Sequence, residues 1–214
     1  MPINIIKNHQ LSSVPWGNGA GYMSEIFRYP AAHSNVDYLV RFSTASIEVP
    51  VSEFTLYPGY IRHHRTLEGL CAFHIEHANG TQLTDHSGTV FDFHGETPLR
   101  CERITDYAFA INLIHKPQVQ VSDRVMQVTS SAMPLAALVN HPGQPVGAEQ
   151  KVINIVHIIQ GTLSLTKAEN NSHNTLAQGD TLILTGNDGV TATHSCNITG
   201  ADAKLYLVCV VLAT

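Results

Sequence analysis

The sequence predicts an all-β protein, a sandwich or a barrel, and two observations lead to this fold class. Nearly every strong hydrophobic pattern in the 214 residues repeats at every second position, and turn residues interrupt the chain at short intervals. Alternation is the pattern of a strand with one buried face, and short strands separated by regular turns are typical of all-β domains. Helix is scarce, although residues 132–139 could form a short one, ended by the His-Pro-Gly sequence at residues 141–143.

The strand candidates fall into two similar groups, each organised around a pair of glycines. Gly88 follows Gly69 at a spacing of 19, and Gly179 follows Gly161 at a spacing of 18, with an apolar strand after the second glycine of each pair. Such self-similarity predicts two β units, unless the glycine pairs match by chance. In chain order the strand candidates are residues 38–43, 70–76, 89–93, 108–114, 153–159, 162–166, 181–184 and 204–212.

We therefore expect three segments along the chain. Residues 1–115 form an N-terminal unit that carries a ligand pocket, and residues 116–150, with four prolines, form a crossover. Residues 151–214 form a second unit, completed by strands from the N-terminal part or from the crossover.

Composition excludes two classes of partner. Charged residues make up 14% of the chain and the net charge is -5, so there is no basic field to attract nucleic acid or an anionic membrane. The longest apolar run, residues 205–213, is far shorter than the roughly 20 residues that span a bilayer. We expect a soluble, cytoplasmic protein whose four cysteines are reduced thiols.

The stretch at residues 57–69 contains the first candidate binding residues. In an extended strand Tyr60, Arg62, His64 and Thr66 share one face. If that face points into a barrel, Arg62 needs an anionic partner, which a ligand could supply. The alternative is an edge strand whose charges are solvated.

Arg41 lies in the middle of a strand among apolar neighbours and also needs a partner. An internal pair with Glu25 or Glu48 would satisfy it. Alternatively, Arg41 and Arg62 lie together across adjacent strands and bind a carboxylate, because guanidinium groups match carboxylates in charge and in geometry. Three further residues would then orient the rest of the ligand or form apolar walls: Asn112, Phe54 and Tyr57.

A glycine-rich segment at residues 16–21 follows the proline at position 15. Its glycines, Gly19 and Gly21 among them, allow backbone N–H groups to approach a ligand. From the residues alone two interpretations stay open: a pocket wall, with Asn18 as a hydrogen-bonding residue, or a purely structural turn anchored by Trp16. The segment lacks the glycine spacing of a dinucleotide loop and the lysine of a phosphate-binding loop.

The sequence offers little for metal or covalent chemistry. The two neighbouring polar residues on the inward face of residues 57–69 are Arg62 and His64, and an arginine repels a cation, so we expect no metal and no other cofactor. No nucleophile motif is present, and we assign no catalytic residue. His64 is the best acid–base candidate, and Glu68 is a weaker one.

The order of these motifs resembles the cupin barrel, and the first half of the chain resembles the HutD/Ves family of bicupins. The resemblance implies two cupin-like barrels of the jelly-roll type in one chain. It also implies a small-molecule pocket in the N-terminal barrel and an association with histidine degradation, with a regulatory or sensing role. The matching pieces are residues 15–21, 24–26, 41–45, 52–59, 67–69 and 91–96 with Arg62, Asn112 and Leu113.

Our expectation is a bicupin that binds a small carboxylate and acts as a sensor or regulator. The resemblance suggests an intermediate of histidine breakdown, such as urocanate or a formylated or formiminated glutamate. The alternative is a cupin-type isomerase, lyase or hydrolase, either metal-free with His64 as the acid–base group or metal-dependent. A protein-binding module is a third possibility, and a homodimer is expected because many bicupins pair.

Overall fold

The computed structural model describes residues 3–31, 38–77, 80–85, 90–139, 150–167, 172–186 and 196–213. The chain divides into two compact units. The N-terminal unit is Leu11–Gln118, and the C-terminal unit combines Met1–Gln10 with Val119–Thr214. Across the described ranges, we find no helix with the length and apolar character that a bilayer span requires.

The prediction of an all-β chain is confirmed, because strands dominate both units. In chain order they are β1 Ile3–Ile6, β2 Ser13–Pro15, β3 Tyr22–Tyr29, β4 Val40–Ile47, β5 Val51–Glu53, β6 Ile61–Glu68, β7 Cys71–His77, β8 Gly80–Asp85, β9 Val90–His94, β10 Leu99–Arg103, β11 Ala108–His115, β12 Gln120–Val128, β13 Met133–Pro134, β14 Gln150–Lys167, β15 His173–Ala177, β16 Thr181–Gly186 and β17 Cys196–Ala213.

The N-terminal unit contains two sheets. The six-stranded sheet has the order β2-β3-β4-β11-β6-β9, and the four-stranded sheet has the order β5-β10-β7-β8. Side chains from both sheets meet in one apolar core, which includes Ile47 of β4, Phe73 of β7 and Cys101 of β10. The unit is therefore a pair of facing sheets, as in a jelly roll, rather than a ring of hydrogen-bonded strands.

The strand β6 alternates between buried and partly exposed residues along its length. Arg62, His64 and Thr66 are buried, whereas His63 and Arg65 between them are partly exposed. Tyr60, just before the strand, is buried as well. The two faces predicted from the sequence are present, and the interpretation of β6 as an edge strand is wrong because β6 is paired on both sides, with β11 and with β9.

The C-terminal unit is built on one sheet of order β1-β16-β14-β17-β12, to which β13 and β15 add at the sides. The first strand of the chain pairs here, with β16 near the other end of the sequence. Leucine, isoleucine and valine side chains fill its core, among them Leu163, Leu182 and Leu205. Residues 116–150, expected as a crossover, contribute β12, β13 and a single helical turn, α1 Ala136–Val139.

Two predicted strands, residues 153–159 and 162–166, are one strand in the structure. β14 runs through Gly161, and its pairing with β17 shifts register on both sides of Gln160. Gly161 has φ +77°, and a Cβ atom there would lie 2.6 Å from the carbonyl oxygen of Asp202. The glycine therefore permits an irregularity within a continuous strand. Gly88, the second glycine of the predicted N-terminal repeat, lies outside the described residues.

Asp180 connects the start of the chain to the turn before β16. Its carboxylate accepts hydrogen bonds from Lys7 Nζ at 2.8 Å, from Asn8 N at 2.9 Å and from Ala177 N at 2.9 Å. Burial acts to raise the pKa of Asp180, but the hydrogen bonds from Lys7, Ala177 and Asn8 outweigh it and lower the pKa below its usual value. The charged form is thus favoured by the folded state.

We expect Asp180→Asn to lower the free energy of unfolding by about 1–3 kcal/mol at neutral pH, because charge-assisted hydrogen bonds are lost from a buried site. A carboxyl whose pKa is depressed by folding stabilises the protein above its unfolded pKa and loses this effect as the pH falls through the folded pKa. Below about pH 4, the free energy of unfolding, measured with urea, should therefore fall more steeply with decreasing pH for the wild-type protein than for the variant.

The matched control is Asp202→Asn, at an exposed aspartate with positive φ, a conformation that asparagine also tolerates. Its stability should follow that of the wild-type protein at every pH. Equal stability of Asp180→Asn and the wild-type protein would contradict the role assigned to this carboxylate.

Candidate functional site

A cavity of about 160 Å³ opens inside the N-terminal unit, lined by the six-stranded sheet and the loops beside it. This volume is about half the lower end of the roughly 300–1,000 Å³ typical of drug-sized ligands, so the cavity suits a small molecule. Its lining residues are Pro15, Trp16, Gly17, Met23, Arg41, Ser43, Ala45, Phe54, Thr55, Tyr57, Arg62, Asn112 and Ile114.

Arg41 and Arg62 enter this cavity from β4 and β6, the two neighbours of β11. Both are opposite Ile114 of β11 in the strand register, so the two arginines and the isoleucine form one row across the sheet. Side chains in one row of neighbouring strands point to the same face. The expected approach of the two guanidinium groups thus follows directly from strand pairing.

Both guanidinium groups are buried, and their hydrogen-bond partners are neutral. Arg41 is 8% exposed and donates from Nη2 to the Tyr57 hydroxyl at 3.1 Å. Arg62 is 5% exposed and donates to Thr55 O and to Asn112 Oδ1, each at 3.0 Å. The Nε atom of each arginine is buried without a hydrogen-bond partner among the described residues.

The two glutamates proposed as internal partners of Arg41 do not pair with it. Glu25 forms an ion pair with Arg28, three positions along β3, and Glu48 accepts a hydrogen bond from the Ser46 hydroxyl. Over the part of the chain that the structure describes, neither Arg41 nor Arg62 forms an ion pair with a carboxylate. The cavity therefore contains two cations that make no ion-pair contact with a carboxylate of the described residues.

Aromatic rings replace part of the hydration that the two cations lose. The ring of Tyr57 lies 5.1 Å from Arg41 Cζ and 5.3 Å from Arg62 Cζ. Arg62 Cζ is also 5.1 Å from the Phe54 ring and 5.0 Å from the Phe93 ring. Contacts of this kind stabilise a cation by roughly 0.5–2 kcal/mol each, less than the cost of removing the charge from water.

The pKa of Arg62 records this cost. Burial is the largest cause and lowers the pKa to about 10; Tyr57 and Tyr38 oppose it, and the charge of Arg41 adds to it. For Arg41 burial also acts to lower the pKa, but Tyr57, Tyr38 and Glu25 outweigh it and the pKa is raised. Both side chains are cationic at neutral pH.

Asn112 is oriented by two donors. Its Oδ1 accepts from Arg62 Nη2 at 3.0 Å and lies 3.3 Å from His64 Nδ1. Because Oδ1 can only accept, His64 Nδ1 is the donor in this contact. The Nδ2 group of Asn112 is therefore the part of the amide that remains to donate into the cavity.

His64 lies behind the cavity rather than on its surface. It is 1% exposed, and its ring packs against Phe54, Phe73 and Phe91 with centroid distances of 5.2, 5.0 and 5.6 Å. His64, predicted to bind the ligand, is not among the lining residues, but it contacts Asn112, which is. The physical reason is that the Phe54 ring packs over the imidazole.

The glycine-rich segment forms a hydrogen-bonded loop at one side of the cavity. Trp16 lines the cavity and packs edge-on against Phe54, with ring centroids 5.9 Å apart. Asn18 does not line it, because its side chain donates to Glu53 O and accepts from Ala20 N, both at 3.1 Å. Asn18 therefore holds the loop in place.

Gly19 and Gly21 also shape this loop without lining the cavity. Gly19 has φ +69°, which favours glycine, and a Cβ atom at Gly21 would lie 2.1 Å from the carbonyl oxygen of Ser46. Six of the ten predicted binding residues line the cavity: Trp16, Arg41, Phe54, Tyr57, Arg62 and Asn112.

Sequence reasoning missed several lining residues. Period-two spacing could have found Ser43, two positions after Arg41, and Ile114, two positions after Asn112. Ala45, four positions after Arg41, follows the same spacing, whereas Met23 carries no local signal because it reaches the cavity through the pairing of β3 with β4, opposite Ala45. Within the described ranges, no group of three or more His, Cys, Asp or Glu residues is placed to hold a metal ion.

Comparisons with known proteins agree with this architecture. A family profile described as HutD matches residues 8–204. The fold is similar to that of a conserved protein of unknown function from Pseudomonas aeruginosa PAO1, with 18% identity, a TM-score of 0.72 and 100% of both chains covered. It is also similar to HutD from Pseudomonas fluorescens SBW25 in a formate condition, with 20% identity, a TM-score of 0.67 and coverage of 97% of this chain and 98% of that one.

A more distant similarity, to an oxalate decarboxylase variant from Bacillus subtilis, has 9% identity and a TM-score of 0.60 and covers 98% of this chain and 77% of that one. No curated protein matches the sequence. At these identities the structural likenesses show the fold alone, and they confirm the predicted bicupin fold of the jelly-roll type.

We expect Arg62→Met to raise the midpoint of thermal unfolding in carboxylate-free buffer, by the equivalent of about 1–2 kcal/mol, because an apolar side chain replaces a buried cation without a counter-ion. The measurement is calorimetric unfolding in a buffer without organic acids.

The matched control is Arg100→Met, whose side chain is 50% exposed and pairs with Glu102 at 2.8 Å. Exposed ion pairs contribute little, so this variant should unfold like the wild-type protein. A lower midpoint for Arg62→Met than for the control would contradict the view that Arg62 is costly to the empty protein.

Proposed function

The chain belongs to the HutD family, and from this we propose that it binds a small carboxylate and serves as a sensor or regulator in histidine utilisation. The observation that carries the proposal is the pair of buried guanidinium groups in one cavity, Arg41 and Arg62, neither of which forms an ion pair with a carboxylate of the described residues.

The electrostatics of the pair favour an anionic ligand. A buried cation costs several kcal/mol unless a charge and hydrogen bonds compensate it, and here a tyrosine hydroxyl, a backbone carbonyl and an amide oxygen are the partners. A carboxylate would supply the missing negative charge and could accept from both guanidinium groups. The site is therefore suited to a ligand that completes the charge balance.

The other lining residues support a small organic acid over inorganic phosphate. Trp16, Phe54 and Ile114 provide apolar surface for a carbon skeleton, and Asn112 Nδ2 is oriented to donate to a second acceptor such as a carbonyl or an imidazole nitrogen. Urocanate and formylated or formiminated glutamate combine these features, and we propose them as ligands on the strength of the family association with histidine degradation.

The chemistry of the lining favours binding over turnover. Among the described residues that line the cavity there is no histidine, cysteine, lysine, aspartate or glutamate, and the hydroxyl of Tyr57, a residue type that can transfer protons, is hydrogen-bonded to Arg41. His64, the acid–base candidate of the alternative enzyme hypothesis, is separated from the cavity by Asn112 and Phe54. A homodimer and a cytoplasmic location remain predictions.

We expect small carboxylates of the histidine pathway to raise the thermal midpoint of the wild-type protein, because a ligand that binds only the folded state stabilises it by mass action. The measurement is a thermal-shift series with urocanate, formylglutamate, formate and inorganic phosphate, each with and without a chelator. No shift with any carboxylate, or a shift that requires added metal, would contradict the proposal.

We expect Arg62→Gln and Arg41→Gln each to weaken carboxylate binding by at least tenfold, since loss of one partner of a desolvated charge pair costs roughly 2–5 kcal/mol. Isothermal titration calorimetry measures the change, and Arg100→Gln, at the exposed surface, is the control. Retained affinity in either cavity variant would show that the carboxylate binds elsewhere.

Turnover and regulation need separate measurements. Incubation of ligand with stoichiometric protein, followed by ¹H NMR, should return the ligand unchanged; conversion would support the enzyme hypothesis instead. For the regulatory role, cells of origin that carry Arg62→Gln should lose the normal response of histidine-degrading enzyme levels to histidine, as a deletion does. A normal response would contradict the proposed regulatory role, but it would not contradict the proposal that the protein binds a carboxylate.

A further inference from the structure

The repeat within the chain makes the two units comparable residue by residue. Arg62 lies seven positions before Gly69, and Asn154 lies seven positions before Gly161. In the strand register, Arg62 pairs with Phe93 on one side, and Asn154 pairs with Leu184. Asn154 thus occupies in the C-terminal unit the position that Arg62 occupies in the N-terminal unit.

The equivalence extends to the neighbouring strands. Asn154 of β14 is opposite Cys209 of β17, and Cys209 is opposite Ser122 of β12. This row corresponds to the row of Arg62, Ile114 and Arg41. At the positions of Arg62 and Arg41 in the N-terminal unit, the C-terminal unit therefore has uncharged polar residues, Asn154 and Ser122.

One cation is present in the adjacent row of the C-terminal unit. Arg124 is opposite Leu207, two positions along each strand from the row of Ser122 and Cys209, so its side chain lies on the same face. Its Nη2 donates to Leu138 O at 3.3 Å. Among the described residues Arg124 has no ion pair with a carboxylate.

A second cavity lies at this position in the C-terminal unit. Its volume is about 20 Å³, and its lining includes Ser122, Arg124, Asn154 and Cys209. A cavity of this size holds about one water-sized occupant, since about 10–15 Å³ is the minimum for a water molecule. It has no room for a carboxylate with a carbon skeleton.

Asn154 presents an unpartnered donor at this cavity. Its side chain is 2% exposed, and Nδ2 has no hydrogen-bond partner among the described residues. A buried N–H group without a partner is unfavourable, so a bound species that accepts a hydrogen bond from it is favoured. Asp123 also borders the cavity, but it belongs to the opposite face of β12, where it accepts from the Tyr206 hydroxyl at 2.9 Å.

We infer that the C-terminal unit binds one monatomic anion of the halide class, such as chloride, in this cavity, with Asn154 Nδ2 and the Arg124 guanidinium as donors. Four of the lining residues, Ser122, Arg124, Asn154 and Cys209, have side chains that can donate a hydrogen bond, and one of the four is positively charged; apart from Asp123, the rest of the lining is aliphatic. This set suits an anion of one atom and repels a metal cation. The inference does not rest on the proposed function of the N-terminal unit.

The experiment that tests the site is anomalous diffraction at the bromine edge from crystals of the full chain soaked in sodium bromide. We expect an anomalous peak within hydrogen-bonding distance of Asn154 Nδ2 and Arg124. The cavity of Arg41 and Arg62, where bromide should also bind, is the internal control for the soak. A peak at the control position with none at Asn154, which would mean that water alone fills the small cavity, overturns the inference.

The variant Asn154→Leu separates a specific site from adventitious binding. It removes the unpartnered donor and keeps a similar volume, so the protein should fold at least as well as the wild-type. The peak in the C-terminal unit should disappear, while the peak in the N-terminal unit remains. A peak of unchanged height at the same place in Asn154→Leu overturns the assignment of Asn154 as a ligand.

A measurement in solution tests whether the anion binds at low concentration as well, and not only at the concentration used in the crystal soak. The ³⁵Cl NMR line of dilute chloride broadens when the ion exchanges with a protein site, and both proteins compared carry Arg62→Ala to reduce binding in the larger cavity. We expect the excess line width to fall by at least half when Asn154→Leu is added. Equal line widths for the two proteins would overturn the inference.

Discussion

Two positive charges held in one small cavity, with no carboxylate of the described residues beside them, are the constraint on which the site depends. Arg41 and Arg62 reach the cavity from strands on either side of β11, and the pairing of these strands places the two side chains in one row. Neutral hydrogen-bond acceptors and aromatic rings reduce the energetic cost without removing it. The part of the protein that we propose to bind an anion is therefore also expected to lower the stability of the empty fold.

The inward face of β6 was predictable from the sequence, but the side chains that cover this face and hold the neighbouring loop were not. Alternation alone places Arg62 and His64 on the buried face, and the observed burial follows that pattern. Whether a side chain on that face touches the cavity depends on what covers it. Phe54, from the segment after β5, packs over His64, and Asn18 bonds to the distant carbonyl of Glu53. Both contacts join segments far apart in sequence, so no local pattern reveals them.

In the fold as well, features set by the local sequence pattern were predictable, and features set by pairing between distant segments were not. Hydrophobic alternation located the strands, because a half-buried strand needs one apolar face. It placed a break at Gly161, since a tight turn and an irregularity inside a strand both favour a glycine with positive φ. The two cases differ only in whether a partner strand continues alongside, and here β17 does. The helix was overestimated at residues 132–139, where β13 takes part of the segment into the sheet.

The pairing of β1 with β16 has a consequence for how the protein is made. Ile3 to Ile6 of β1 pair with residues 181–184 of β16. During synthesis β1 therefore stays unpaired until residues 181–184 have been translated. The strands of the N-terminal unit, Leu11–Gln118, are all translated before β16, so this unit can form before β1 is paired. Pairing between such distant segments is slow, and an unpaired apolar strand is prone to associate with other chains. Residues 3–6 can therefore join the sheet of the C-terminal unit only after β16 has been translated.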